Sequence, residues 1–170
     1  VGAVTAHQGL DLLRRDPDTK VVVLISKPPA PDVADGLLRA ARAMGKPVVV
    51  DFVGYLGRPV ENLHFAVTLD QAAELAVQLA GQPAVEVTAP LQAMERLAPS
   101  QRFLRGLYSG GTLAYEALLL LQDYVPAVFS NAPLEKRCQQ GDSAVSQEHT
   151  IIDLGADELT VGRLHPMMDH

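Results

Sequence analysis

The sequence predicts an α/β fold in which short parallel strands are covered by helices, arranged as two incomplete units. Two observations carry that expectation. Val21-Val22-Val23-Leu24-Ile25 and Val48-Val49-Val50 are continuous apolar runs. Such runs mark strands buried on both faces of a parallel sheet, whereas a half-solvated strand alternates. Around them lie segments with apolar residues at helical spacing, so helices and strands alternate along the chain.

In order, residues 4–15 read as a helix with Ala6, Leu10 and Leu13 on one stripe, stopped by Asp16-Pro17-Asp18. The strand at 21–25 follows. Val33, Leu37, Ala41 and Met44 form the next helical stripe, closed by Gly45. A strand over 48–53 and a short one over 63–67 come next. An Ala-rich helix over 69–80 is capped by Thr68 and closed by Gly81. This order begins on a helix, whereas a doubly wound unit opens on a strand, so an upstream strand is expected. Residues 82–101, punctuated by Pro83, Pro90 and Pro99, read as a linker. Beyond it the expected elements are a strand at 103–108, a turn at Ser109-Gly110-Gly111 and a helix at 112–122. A strand at 127–129, a polar loop at 131–148, a strand at 151–154 and a short extension at 159–161 complete the chain. One helix for three strands leaves the second unit incomplete too. The resulting division is 1–81, a linker over 82–101, and 102–170.

Composition narrows the function classes. The chain has 170 residues, is 48% hydrophobic and 20% charged, and so reads as globular. Fourteen basic residues against 20 acidic ones give a net charge of −6, which offers no general attraction to nucleic acid or anionic lipid. Cys138 is the only cysteine, which excludes an internal disulfide framework and a multi-cysteine zinc site. A reducing, cytoplasmic setting is therefore expected. No apolar run reaches the ~20 residues of a membrane span, and the densest, 113–121, is interrupted by Tyr115 and Glu116. Val1-Gly2-Ala3-Val4 has neither an initiator Met nor a basic region, and reads as neither a signal peptide nor a natural start.

Candidate chemistry gathers where strands meet helices. Ser109-Gly110-Gly111-Thr112 follows a strand and opens a helix. Glycines permit a tight turn and close ligand approach, and the free N–H groups of the first helical turn attract phosphate or carboxylate. The alternative is a plain turn capped by Thr112 or Ser109. Lys27, in Ser26-Lys27-Pro28-Pro29, holds the equivalent place in the first unit, where it meets an anion or is simply solvated. Near the end of the chain, Arg163 offers a fork for an anion and His165 an acid, base or phosphoryl acceptor, with Asp169 available to orient the ring. A solvated tail is the competing reading, and Pro166 argues against a helix that would align His165 with Asp169. Asp153, Asp157 and Glu158 around Gly155 offer oxygen ligands for Mg²⁺ or are ordinary turn acids, and no metal site is assigned. Asp51 is a strand-end site carboxylate or a satisfied buried acid. His7, His64 and His149 lack ligand spacing, and Cys138 lacks a partner base.

Three stretches together resemble the FdrA family, a bacterial branch of succinyl-CoA-synthetase-like proteins. They are Val22-Val23-Leu24-Ile25-Ser26-Lys27-Pro28-Pro29, Gly106-Leu107-Tyr108-Ser109-Gly110-Gly111-Thr112-Leu113, and Ile151-Ile152-Asp153-Leu154-Gly155 running on through Gly162-Arg163-Leu164-His165-Pro166-Met167-Met168-Asp169. The resemblance covers nearly the whole chain. It implies flavodoxin-like ligase units: most of the first over 1–81 and the start of the second over 102–170. The principal coenzyme A domain would lie upstream.

It further implies acyl-CoA ligase chemistry through acyl phosphates, with coenzyme A and a nucleotide with Mg²⁺ as cofactors. The expected partners are a small acyl or carbamoyl substrate and other subunits or a homo-oligomer. The sequence departs from the ligase pattern at Gly54-Tyr55-Leu56-Gly57-Arg58-Pro59-Val60-Glu61-Asn62-Leu63-His64, where a Gly-His-Ala-Gly-Ala type loop would present the phosphoryl-carrying histidine. A second departure is His170 after Asp169, where such proteins usually have Pro. FdrA-type proteins are also linked to an oxamate carbamoyltransferase of anaerobic allantoin breakdown, which makes carbamoyl transfer the second expectation. A non-catalytic scaffold or regulatory subunit is the third.

Overall fold

The computed structural model describes residues 2–83 and 97–168. Most of the linker, including Pro90, lies outside them. The chain divides into two units, Val1–Glu86 and Val87–His170, each built on its own three-stranded parallel sheet. The fold is α/β, of the flavodoxin-like kind.

In the first unit the elements are α1 (Val4–Arg15), β1 (Val22–Ser26), α2 (Pro31–Arg42), β2 (Val48–Phe52), β3 (Leu63–Phe65) and α3 (Leu69–Leu79), with strand order β1-β2-β3. Val22 pairs with Val48, and Val48 in turn with Leu63. β2 is buried along its whole length, because α1 and α2 cover one face and α3 the other. Leu10, Ala34, Leu37, Ala41 and Met44 close over Val48, Val50 and Phe52. Ala72 meets Val49 and Ala66 on the opposite face.

The expectation that β1 is buried on both faces is corrected. It is an edge strand, and although Val22 is buried, Val23 and Ile25 are 42% and 44% exposed. Neither belongs to the apolar cluster under α3, which takes in Val21. Leu13, expected on the buried stripe of α1, is also exposed.

The caps follow local chemistry. Thr68 accepts a hydrogen bond from the Gln71 N–H and starts α3. Lys46 Nζ donates to the carbonyls of Leu13 and Asp16, placing a cation on the negative end of α1. Asn62 Nδ2 donates to Ala41 O at 3.1 Å and Lys46 O at 2.7 Å, which ties the loop before β3 to the end of α2. Glu61 sits in left-handed backbone at φ 54° and grips Arg42 of α2 with both carboxylate oxygens.

In the second unit the elements are β4 (Arg105–Tyr108), α4 (Gly111–Leu121), β5 (Phe129–Ser130), a 3₁₀ turn (Lys136–Cys138), β6 (Thr150–Asp153) and α5 (Asp157–Thr160). Strand order is β4-β6-β5, so β6 is central and fully buried. Ala114 and Leu118 of α4 pack on Ile151 and Val128. The expected extension at 159–161 is instead the end of a helix. Asp157 and Glu158 favour the start of α5, and the Leu159 N–H bonds back to Ala156 O. Among the described residues no helix is long and apolar enough to cross a membrane.

Asn62→Ala removes the amide that donates to the Ala41 and Lys46 carbonyls. It should cost about 1–3 kcal/mol, read as a lower urea midpoint at unchanged slope. The Arg42 hydrogen bonds hold the Glu61 carboxyl below its ordinary range. The pair therefore contributes above the unfolded-state value and is lost as pH falls through the folded-state one. Both side chains are exposed, so the effect is small. The difference in urea midpoint between wild type and Glu61→Gln should be present at neutral pH and close in acid.

Candidate functional site

β4 and β6 end side by side, with Tyr108 opposite Asp153. Ligands of open α/β sheets gather at such carboxyl ends. Beyond Tyr108 the chain turns through Ser109 and Gly110 into α4. Gly110 is the N-cap residue, and being glycine it supplies no side-chain cap. Among the described residues neither the Ser109 nor the Thr112 hydroxyl makes a hydrogen bond, so the plain capped turn is not what forms. The Ala114 N–H bonds to Gly110 O. The N–H groups of Gly111, Thr112 and Leu113, one residue turn earlier, have no acceptor within the helix.

At the end of β6 the backbone is fixed by Asn131, which follows β5. Its Nδ2 donates to Asp153 O at 2.9 Å and its Oδ1 accepts from the Asp153 N–H at 2.9 Å. The Leu154 N–H donates to Tyr108 O, locking β6 to β4. The buried Asp153 carboxylate accepts from the Gly155 N–H at 2.9 Å. Asn131 Nδ2 also reaches Glu158, whose carboxylate accepts from the Ser143 hydroxyl at 2.6 Å. Among the described residues no group of three or more His, Cys, Asp or Glu side chains is placed to hold a metal ion.

The segment after α5 returns to these strand ends. Gly162 takes a left-handed conformation at φ 73°, which glycine adopts without strain. His165 then lies against Gly155: a Cβ there would stand 2.5 Å from His165 Nε2 and 3.2 Å from Asp153 Oδ1. The imidazole and the Asp153 carboxylate thus face the same small space. Met167 lies against Gly110, with Sδ 3.7 Å from where a Cβ would be. His165 Nδ1 accepts from the Met167 N–H at 3.2 Å, so the neutral ring carries its proton on Nε2.

The structure therefore brings together Ser109, Gly110, Gly111, Thr112 and His165 at one end of one sheet. Arg163 shares the returning segment, but it is exposed, and among the described residues its side chain makes no hydrogen bond or ion pair. Asp169 lies outside the described residues. Lys27 is exposed in the first unit, after β1, so it belongs to a different sheet. His64 lies within β3, opposite Val49. Asn131 and Met167 were not singled out by sequence. Asn131 had a signal, a polar residue directly after an apolar strand, but its partner is 22 residues away.

No family model matches the chain. It is similar to the "Uncharacterized protein YahF" of Escherichia coli (strain K12), with 38% identity over 178 residues, covering 99% of this chain and 35% of the relative. The chain thus spans about a third of that relative's length. The similarity runs through both units.

Gly155→Ala should push His165 off the strand end, because the new Cβ would stand 2.5 Å from Nε2. Acylation of His165 by diethyl pyrocarbonate, followed by mass spectrometry, should become faster than in the wild type. The melting temperature should fall only slightly, since the displaced segment is surface chain.

Proposed function

We propose that the protein carries out acyl-phosphate chemistry as an FdrA-type, succinyl-CoA-synthetase-like ligase, with a working site at the carboxyl ends of β4 and β6. One observation supports this reading most. The chain returns through Gly162 so that His165 lies beside Asp153 and Gly155, while Met167 lies against the glycine turn that opens α4.

In this reading a phosphate or carboxylate accepts hydrogen bonds from the N–H groups of Gly111 and Thr112, aided by the helix dipole. Those N–H groups suit a phosphate of coenzyme A or of a nucleotide equally well. Arg163 swings in to add a charge-assisted, bidentate contact. His165, protonated on Nε2, donates to the developing charge on a leaving oxygen. With Nδ1 engaged by the Met167 N–H and the proton on Nε2, the neutral ring acts as a hydrogen-bond donor to developing charge rather than as a phosphoryl acceptor.

Carbamoyl transfer between oxamate and phosphate is the second reading, and the placement of His64 favours it. A phosphohistidine relay needs its histidine on a mobile, glycine-rich loop, and His64 is instead held within a strand. Carbamoyl transfer to phosphate needs the anion cradle and no such carrier.

The test is an assay of the chain in its full-length context. Formation of acyl-CoA from acid, coenzyme A and nucleotide is measured alongside formation of carbamoyl phosphate and oxamate from N-carbamoyl oxamate and phosphate. Gly111→Val should abolish whichever activity is present while leaving the fold intact, because the backbone can no longer approach the anion. Arg163→Ala should lower kcat/KM by about 10–100-fold. Full activity in both variants would remove the site, and a folded protein without either activity would turn the assignment towards a scaffold.

A further inference from the structure

The first unit contains a concavity of its own, lined by α2, β3 and the loop that precedes β3. A cleft of about 360 Å³ opens between α2 and the loop that joins β2 to β3, within the ~300–1,000 Å³ range of small-molecule sites. Leu38, Val60 and Leu63 supply apolar wall, and the rings of Tyr55 and Phe65 form an aromatic corner. Those ring centroids are 6.0 Å apart with a tilt of 43°, and Tyr55 also meets Phe52 edge-on at 6.1 Å. Tyr55 is 39% exposed, so much of its ring is open to solvent.

The loop is built to hold that corner open. Gly57 passes so close to Phe65 that a Cβ would overlap the ring. The other rim is pinned by the two-oxygen grip of Glu61 on Arg42, for which Glu61 accepts a left-handed backbone at φ 54°. A non-glycine residue in that conformation carries strain that its surroundings must offset.

The charges at the mouth do not cancel. Arg42 is neutralised by Glu61. Arg39 and Arg58 also line the cleft, and among the described residues neither makes an ion pair or a side-chain hydrogen bond. Among the described residues the one carboxylate in the lining is Asp35. Two guanidiniums against one carboxylate, beside two aromatic rings, match a flat ring that carries an anionic group. The ring lies on Tyr55 and Phe65, and the anion meets the forks of Arg39 and Arg58. We propose that this cleft between α2 and the β2–β3 loop binds such a molecule, an aromatic carboxylate or phosphate. The proposal concerns the first unit alone, so it stands or falls separately from the reading of the second.

The test is calorimetric titration of the full chain with 2-naphthoate and with AMP, which distinguishes an arene carboxylate from a nucleotide phosphate as the source of the shared chemistry. Neutral 2-naphthamide is the control for ring binding alone. At least one anion should bind saturably, and 2-naphthamide should bind at least tenfold more weakly than 2-naphthoate if the carboxylate is the match. Arg39→Ala and Arg58→Ala should each weaken the bound anion by about tenfold, and Tyr55→Ala should weaken it as well. Asp35→Asn should tighten binding, a gain that misfolding cannot imitate. No saturable binding of either anion, equal affinity for the acid and its amide, or wild-type affinity in the arginine and Asp35 variants would each overturn the proposal.

Discussion

Everything in both units depends on burying one central strand on two faces. β2 manages this completely, from Val48 to Phe52, and β6 does the same from Thr150 to Asp153. A strand without water on either face must give every N–H and C=O to a neighbour, so it needs a strand on each side. That requirement produces the orders β1-β2-β3 and β4-β6-β5. It also places the carboxyl ends of the outer strands beside a buried acid, Asp51 in one unit and Asp153 in the other. A buried carboxylate is costly unless it is partnered. Asp153 shows the solution directly, with its oxygen receiving the Gly155 N–H just past the strand.

The elements were legible wherever the determining signal is local. The Ala6 and Leu10 stripe of α1, the Thr68 cap of α3 and the Ser109–Gly110 turn all depend on neighbours a few residues away. β1 shows where local reading stops. Five apolar residues at 21–25 look the same in a central strand and an edge strand, because the difference lies in what α3 covers and not in β1 itself. The 159–161 segment failed for a related reason. Leu159-Thr160-Val161 has strand-forming residues, but Asp157 and Glu158 ahead of them favour a helix start, and the short-range N–H bonds decide it.

The candidate site divides along the same line. The glycine turn before α4 was readable, since a strand, two glycines and a helix are contiguous. The meeting of His165 with Gly155 and Asp153 was not. It depends on the left-handed Gly162, which sends the chain backwards, and on the lack of a side chain at Gly155, which leaves room for the ring. Neither fact has a periodicity. The cleft beside α2 was invisible for a stronger reason: Arg39, Tyr55 and Arg58 come together only because Glu61 and Asn62 tie the loop to the end of α2.

The two edge strands show how differently one exposure problem can be handled. β4 exposes Leu107 at 71%, but its first residue is Arg105. The Arg105 guanidinium bonds the Glu148 carbonyl and lies 5.6 Å over the Phe103 ring. A cation on an outer strand discourages pairing with a second sheet. β1 has no such device along Val22–Ser26, where Val23 and Ile25 are left open and the first charge, Lys27, comes only after the strand ends. An apolar open edge with no charge inside it is a template for another strand. Of the two sheets, the first is therefore the one whose outer strand calls for cover, and it is also the sheet whose β2–β3 loop shapes the arginine-lined cleft on its other side.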